Sequence, residues 1–404
     1  MKRKFKLFNS FDNRELNASK EIIKRGLLSG FVADKSNAFY GGKYVNRLEK
    51  SFCKYFNSKY AISVNSWTSG LVCAVGSLNI KPGDEIIVSP WTMSATATAI
   101  LCWGAIPVFS EIDERTYCLD FRKLENKITK KTRAIMVTDI FGQSANYKEI
   151  MKVAKKNNLK VISDTAQAIG SKSNNKYSGT ISDIGGFSLN RHKHIQTGEG
   201  GVILTNNKYL ATNMFKIRNH GEVINKDKKF RNLIGFNFRM NEIEAAIGLE
   251  QLKKLKNILK DKTSKAEYLT KLLNQIPGLI TPYIDKGNTH VYYCYPIKIN
   301  KKIIKVKKNK IFKALKSEGI PIEENYVNLM DYYIYSNSKI RSIFPWSLNK
   351  KTYYSKKSKV YSHTKSIISN FFNISFCEYD FSKEDIKNIY SAFLKVWRNF
   401  NLIK

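Results

Sequence analysis

The sequence predicts an α/β protein: a large domain on a mainly parallel, seven-stranded type of sheet, followed by a smaller C-terminal α/β domain. Two observations carry the prediction. Between Tyr60 and Ser163 short apolar runs alternate with segments of helical spacing, the rhythm of strands joined by crossover helices and covered on both faces. Beyond about residue 262 that rhythm gives way to a helix, a Pro/Gly turn, an aromatic strand and further helices, which marks a second unit. A chain of 404 residues is long enough for both.

In chain order, residues 1–40 form an N-terminal segment, with helical spacing over 17–27 and a Gly/Ser/Asn-rich loop closing at Tyr40-Gly41-Gly42-Lys43. The large domain, 41–260, opens with Val45, Leu48, Phe52 and Phe56 at helical spacing. Strands are expected at 60–64, 85–89, 107–112, 133–138, 160–163 and 202–205, with helices at 68–78, 92–102, 147–157 and 209–218. Asn241 and Glu244 have the spacing of a capping box and open an amphipathic helix over 243–259. The small domain, 261–404, is expected to hold helices at 264–275 and 308–318, a strand over 290–299, and a terminal helix over 380–400 introduced by Ser382.

Composition narrows the class. Hydrophobic residues make up 43% and aromatic residues 12%, which describes a folded globular chain. The net charge of +36 would suit an anionic partner, but the lysines are spread along the whole length without a basic tail. This reads as a compositional bias, and neither a nucleic-acid nor a membrane partner is expected. Six scattered cysteines, with no CxxC pair and no His at metal spacing, point to a reducing compartment and away from a structural metal. Met-Lys-Arg-Lys-Phe-Lys lacks the apolar stretch of a signal peptide. The uncharged run 91–110 carries Gly104 and Pro107 and fits a buried helix turning into a strand. A cytoplasmic protein is expected.

Chemistry concentrates in one corner. Gly186-Phe187-Ser188-Leu189 reads as a strand, Asn190 to Gln196 as a polar turn holding Lys193, and Gly198-Glu199-Gly200-Gly201 as the entry to the next strand. Glycines there let backbone approach a ligand or another strand. A desolvated lysine near other cations, here Arg191, His192 and His194, can act as an imine-forming amine, though the corner alone reads equally as a solvated basic turn. Two further stretches decide between them. Asp164 ends the apolar run Val161-Ile162-Ser163, and Asn65-Ser66-Trp67-Thr68-Ser69 sits where a strand becomes a helix. A carboxylate, a Schiff-base lysine and a helix N-terminus for phosphate are what pyridoxal 5′-phosphate asks of a protein.

Together and in this order, Asn65-Ser66-x-Thr68, Asp164-x-x-Gln167, Phe187-Ser188, Lys193 with Gly198-Glu199-Gly200-Gly201, and Gly235-Phe236-Asn237-Phe238-Arg239-Met240 resemble the sugar-nucleotide aminotransferases of the DegT-like family of fold-type-I pyridoxal-phosphate enzymes, from about residue 40 to the C-terminus. The resemblance implies roles. Lys193 would carry the cofactor and shuttle the substrate proton. Asp164 would pair with the pyridine nitrogen, and Gln167 would bond the phenolic oxygen. Ser66, Thr68 and Ser188 would hold the phosphate, with Asn237 reaching it from the neighbouring subunit of an obligate homodimer. The family usually has glycine at Trp67, so this side chain is expected to point away from the ligand. An aromatic commonly stacks on the cofactor where Met93 stands, with Trp91 a substitute by shifted register.

The implied reaction moves an amino group from L-glutamate to a nucleotide-linked keto-sugar, such as a 4-keto-6-deoxyhexose, for surface polysaccharide or glycan synthesis. Candidate substrate contacts are Lys43, His220, Arg239, His290 and Tyr326, although His290 and Tyr326 read equally as structural. Relatives with histidine in place of the lysine are sugar dehydratases. Counting back from Gly198 puts Lys193, not His192 or His194, in the imine position. A non-catalytic cofactor-binding regulator is a further alternative.

Overall fold

Helix α1 (Asn13–Arg25) begins where Asp12 and Glu15 close a capping box, upstream of the expected start, and ends at Gly26 with a left-handed φ of 71°. Helix α2 (Lys43–Phe56) buries Val45, Leu48, Phe52 and Phe56 as their spacing predicts. The computed structural model describes residues 4–34, 36–222, 233–324, 326–337, 339, 342–348 and 357–402, so Met1, Lys2 and Arg3 of the basic N-terminus lie outside the described residues.

The alternating region follows as β1 (Tyr60–Val64), α3 (Trp67–Ser77), β2 (Glu85–Val88), α4 (Ser94–Leu101), β3 (Ile106–Phe109), β4 (Thr132–Thr138), α5 (Tyr147–Lys156) and β5 (Lys160–Asp164). A short hairpin, β6 (Lys172–Ser173) and β7 (Lys176–Tyr177), precedes β8 (Ile184–Ser188), β9 (Gly201–Thr205) and α6 (Lys208–Arg218). Seven strands form one sheet in the order β1-β9-β8-β5-β4-β2-β3. Strand β9 runs against both neighbours, and every other pairing is parallel. Alternate residues fill opposite faces: Ile86, Val88 and Ile162 pack on one side, Ile87, Ile135, Val137 and Val161 on the other.

The two helices expected over 243–259 and 264–275 are one continuous helix, α7 (Glu242–Leu273), opened by the Asn241–Glu244 capping box. No proline or glycine interrupts Leu259-Lys-Asp-Lys-Thr-Ser264, and the Ser/Thr pair that suggests a new start does not break the ladder. Its first half, including Leu255, packs into the large-sheet core, whereas Ala266, Leu269 and Leu273 belong to the core of a second sheet.

That sheet is antiparallel, ordered β10 (Leu279–Ile280), β11 (Tyr295–Ile299), β13 (Phe371–Ile374) and β12 (Ile322–Glu323). Helices α8 (Lys308–Ser317), α9 (Tyr333–Ser336), α10 (Lys359–Ile368) and α11 (Lys383–Arg398, capped by Ser382) complete the C-terminal part. The strand expected from His290 begins only at Tyr295, because Tyr292 takes a φ of 54° and turns the chain. All six cysteines are free. Among the described residues no helix is long and apolar enough to cross a membrane, and no His/Cys/Asp/Glu cluster is suited to a metal ion.

Candidate active site

The carboxyl ends of the parallel strands open onto one cavity of about 420 Å3. Ser66 follows β1, Thr92 and Met93 follow β2, and Thr138, Asp164 and Ser188 end β4, β5 and β8; all line it. Thr68, Gln167, Lys193, Tyr293 and Tyr326 line it too.

At one end stands the N-terminus of α3. The Ser66 hydroxyl caps it by accepting the Ser69 N–H at 3.1 Å, and Ser69 Oγ donates to Asn65 Oδ1 at 2.7 Å. Thr68 is exposed in the first turn, and Ser188 is buried nearby with its hydroxyl accepting the Asn190 N–H at 3.2 Å. Unsatisfied first-turn amides and the helix dipole make such an end attractive to an anion.

Asp164 is buried at the tip of β5. Its Oδ1 accepts Trp67 Nε1–H at 2.7 Å, and its Oδ2 accepts the Thr96 hydroxyl at 2.7 Å. The expectation that Trp67 points away from the ligand is therefore corrected. The indole lines the cavity and runs under it to the carboxylate. Glycines make its path: a Cβ on Gly186 would lie 2.4 Å from Trp67 Cζ3, and one on Gly70 would lie 2.8 Å from Cε3.

Lys193 sits in a turn closed by its own N–H to Asn190 O at 2.9 Å. The residue as a whole is partly exposed, but its ammonium is turned inward and lies 4.2 Å from the centroid of the Tyr293 ring. Among the described residues no carboxylate comes within ion-pair distance of it. Burial lowers its pKa, while the charge of Asp164 opposes that shift. The expected cationic neighbours do not cause it. His194 is fully buried with Nε2 on Val291 O at 2.7 Å and its pKa pushed down to about 4 by burial, so it is neutral. His192 faces Glu378 at 3.1 Å, and Arg191 is exposed.

Gln167 is held at both ends of its amide: Oε1 accepts the Phe141 N–H and Nε2 donates to the Tyr326 hydroxyl, each at 2.7 Å. Met93 is 52% exposed and lines the cavity. Trp91, the alternative stacking residue, is 0% exposed and packs edge-on against Tyr117, Phe141 and Phe371. Its shifted-register role is excluded by that burial.

Among the substrate candidates, Tyr326 alone lines the cavity. His290 is buried, stacks on Tyr292 with centroids 4.2 Å apart, and accepts the Tyr292 N–H on Nδ1 at 2.9 Å. His220 bonds Arg239, which lies over Phe31. Lys43 and Asn237 are exposed, and neither lines the cavity of this chain. Sequence reasoning missed Tyr293 and Thr96. The pairing of Thr92 with Thr96 at one helical turn was the available signal for the second; Tyr293 comes from a loop whose approach no local pattern encodes.

The geometry has counterparts in known proteins. The profile of the DegT/DnrJ/EryC1/StrS aminotransferase family matches residues 31–393. The chain is 36% identical over 280 residues to GDP-perosamine synthase of Caulobacter vibrioides, covering 69% of this chain and 75% of that protein. It superposes on Helicobacter pylori PseC, an aminotransferase involved in the biosynthesis of pseudoaminic acid, with a TM-score of 0.82 at 26% identity, covering 99% of this chain and 100% of that one. Escherichia coli GDP-4-keto-6-deoxy-D-mannose-3-dehydratase with bound hydrated PLP shares the fold, with a TM-score of 0.82 at 24% identity over 97% of this chain and 100% of that one. This chain belongs to the DegT/DnrJ/EryC1/StrS aminotransferase family, and its cofactor is pyridoxal 5′-phosphate.

Proposed function

We propose that the chain transfers the amino group of L-glutamate to a keto-sugar carried on a nucleoside diphosphate, a 4-keto-6-deoxyhexose, for surface polysaccharide or glycan synthesis. The observation that carries the reading is the Lys193 amine, its pKa lowered by burial, in a cavity it shares with Asp164 and the N-terminus of α3. The donor set fits the cofactor: an amine, a carboxylate and a helix end around one space large enough for a ring and its phosphate. When bound, the cofactor supplies the electron sink for the carbon that loses its proton.

The chain's own residues do the rest. Lys193 Nζ would hold the cofactor and would take and return the proton at the substrate carbon. Asp164 would hold the pyridine nitrogen, and Gln167, fixed by Phe141 and Tyr326, has a second amide proton that would serve the phenolic oxygen. Ser66, Thr68 and Ser188 would hold the phosphate, and Met93 and Trp67, which line the same cavity, would hold the ring. Lysine at the proton-transfer position favours transamination over the dehydration named for the E. coli neighbour. The names of GDP-perosamine synthase and PseC support an amino-sugar product.

Lys43, His220, Arg239 and Asn237 do not line the cavity of a single chain, which supports a site completed by a second copy in an obligate homodimer. A cytoplasmic setting is consistent with six free cysteines. The division of the chain at about residue 260 into a cofactor-binding and a small domain is supported by the two cores that share α7. His290 is assigned to the scaffold, and Tyr326 to the cavity wall. The test is incubation with 15N-labelled L-glutamate and GDP- or dTDP-4-keto-6-deoxyhexoses. A 15N-labelled amino-sugar nucleotide supports the reading; a deoxygenated, nitrogen-free sugar would mean dehydration, and unchanged substrates would refute the substrate class.

A further inference from the structure

Trp67 departs from the glycine the resemblance leads one to expect, and its indole reaches Asp164, a buried carboxylate in the cavity wall. An ionised carboxylate only accepts hydrogen bonds, at about four lone-pair positions. Three are used by protein donors: Trp67 Nε1–H at 2.7 Å and the Ala166 N–H at 3.3 Å on Oδ1, and the Thr96 hydroxyl at 2.7 Å on Oδ2. One acceptor position on Oδ2 remains, and Asp164 lines the cavity. Thr96 spends its single proton on Asp164, so Thr92, 3.0 Å away, must donate to Thr96. Thr138 in turn donates to Thr92 at 3.3 Å. The three hydroxyls therefore point their dipoles one way, toward the carboxylate. The indole can only donate, so the Oδ1 contact has no alternative polarity.

We infer that Trp67 and Thr96 are positioning residues that clamp Asp164 with one free acceptor lone pair turned toward the cofactor's ring nitrogen. Glycine at position 67 would leave Oδ1 with only the longer Ala166 N–H contact and the carboxylate less firmly held. The indole is itself fixed, packed into the space left by Gly70 and Gly186, so the clamp needs no ligand to form. The inference rests on the proposed pairing of Asp164 with the ring nitrogen, and the experiment separates the two.

Apoprotein is titrated with pyridoxal 5′-phosphate and with its 1-deaza analogue, in which C–H replaces the ring nitrogen, for wild type, Trp67→Phe and Thr96→Val. Wild type is expected to prefer the natural cofactor. Each variant should lose about 10-fold in affinity for pyridoxal phosphate while binding the deaza analogue as wild type does, and Thr96→Ser should restore the preference. Equal losses on both probes would mean that Trp67 and Thr96 only support the fold, and unchanged affinities would also overturn the clamp. Wild type that binds both probes equally would refute the Asp164 pairing itself. Thr96→Val keeps the test decisive should Trp67→Phe fail to fold.

Discussion

Two buried ionic groups in this molecule are built in opposite ways. Arg218, at the end of α6, donates to Glu49 of α2 at 2.5 Å and to Ser63 O of β1 at 3.0 Å. Its guanidinium lies 4.7 Å and 5.0 Å from the ring centroids of Phe31 and Phe215. Glu49 also accepts the Ser63 N–H and hydroxyl, each at 2.9 Å. The charges there are matched by protein, which makes a joint. Lys193 and Asp164 share a cavity without pairing: the lysine faces an aromatic ring and the aspartate is met by neutral donors. A scaffold neutralises its buried charges internally, whereas a site holds its complement open for what binds.

Substitutions should separate the two regions. Lys193→Ala should lower transamination by ~10³-fold or more, because both the covalent anchor and the proton carrier are lost. Its unfolding midpoint in the apo form should stay near wild type, since among the described residues Lys193 has no ion partner; steady-state rates and urea unfolding of the apoprotein check both. Arg218→Met should do the reverse in kind, costing about 3–5 kcal/mol of stability by stranding the buried Glu49. The double variant Glu49→Leu/Arg218→Met should recover part of that loss in the same unfolding assay.

Acid should act through the scaffold histidines. Burial lowers the pKa of His290 to about 3 and that of His194 to about 4, from an ordinary 6.5. The unfolded chain then binds more protons below pH 6.5, so these groups lose stability as pH falls from 6.5 toward 4. Asp139 has the opposite sign: burial raises it to about 7, so between 3.8 and 7 the native form keeps a proton that the unfolded chain releases, adding stability toward acid. His290→Asn isolates one term. Its stability should fall less than that of wild type between pH 6.5 and 5, by about 1.4 kcal/mol per pH unit. A parallel decline of the two proteins in urea titrations would contradict the burial of neutral His290.

The smallest effect belongs to the cavity rim. Met93 is half exposed, so Met93→Leu should change stability by less than about 0.5 kcal/mol, whereas Trp91→Ala should cost about 3–5 kcal/mol because a fully buried indole is removed. Similar losses for the two would break the assignment of one to the rim and the other to the core.

Much of this was legible in the residues. Strand ends announce themselves, so Asp164, Ser66 and the Lys193 corner could be placed beyond the sheet from local pattern and joined by the need of one cofactor for all three. The capping box at Asn241 and the helix start at Ser382 were legible for the same reason, since each is written within a few residues. What stayed hidden depends on contacts distant in sequence. The direction of Trp67 is set by Gly186, far along the chain, and by a carboxylate at the end of a different strand. The neutrality of His194 follows from its burial, which outweighs the opposing pull of the Val291 carbonyl, whereas its neighbours in sequence suggested a cation. The continuity of α7 was missed because a polar Thr-Ser step looks like a cap, yet only a competing interaction would stop a helix with both halves buried.

The central claim, that the Lys193 cavity performs a glutamate-dependent amino transfer, is tested most directly by the visible absorption spectrum of the cofactor-loaded protein during titration with L-glutamate. The account predicts that the band of the Lys193-bound cofactor converts to that of its amino form, with 2-oxoglutarate released in equal amount, and that Lys193→Ala shows neither the starting band nor the conversion. A band that forms in wild type but does not respond to L-glutamate would contradict it.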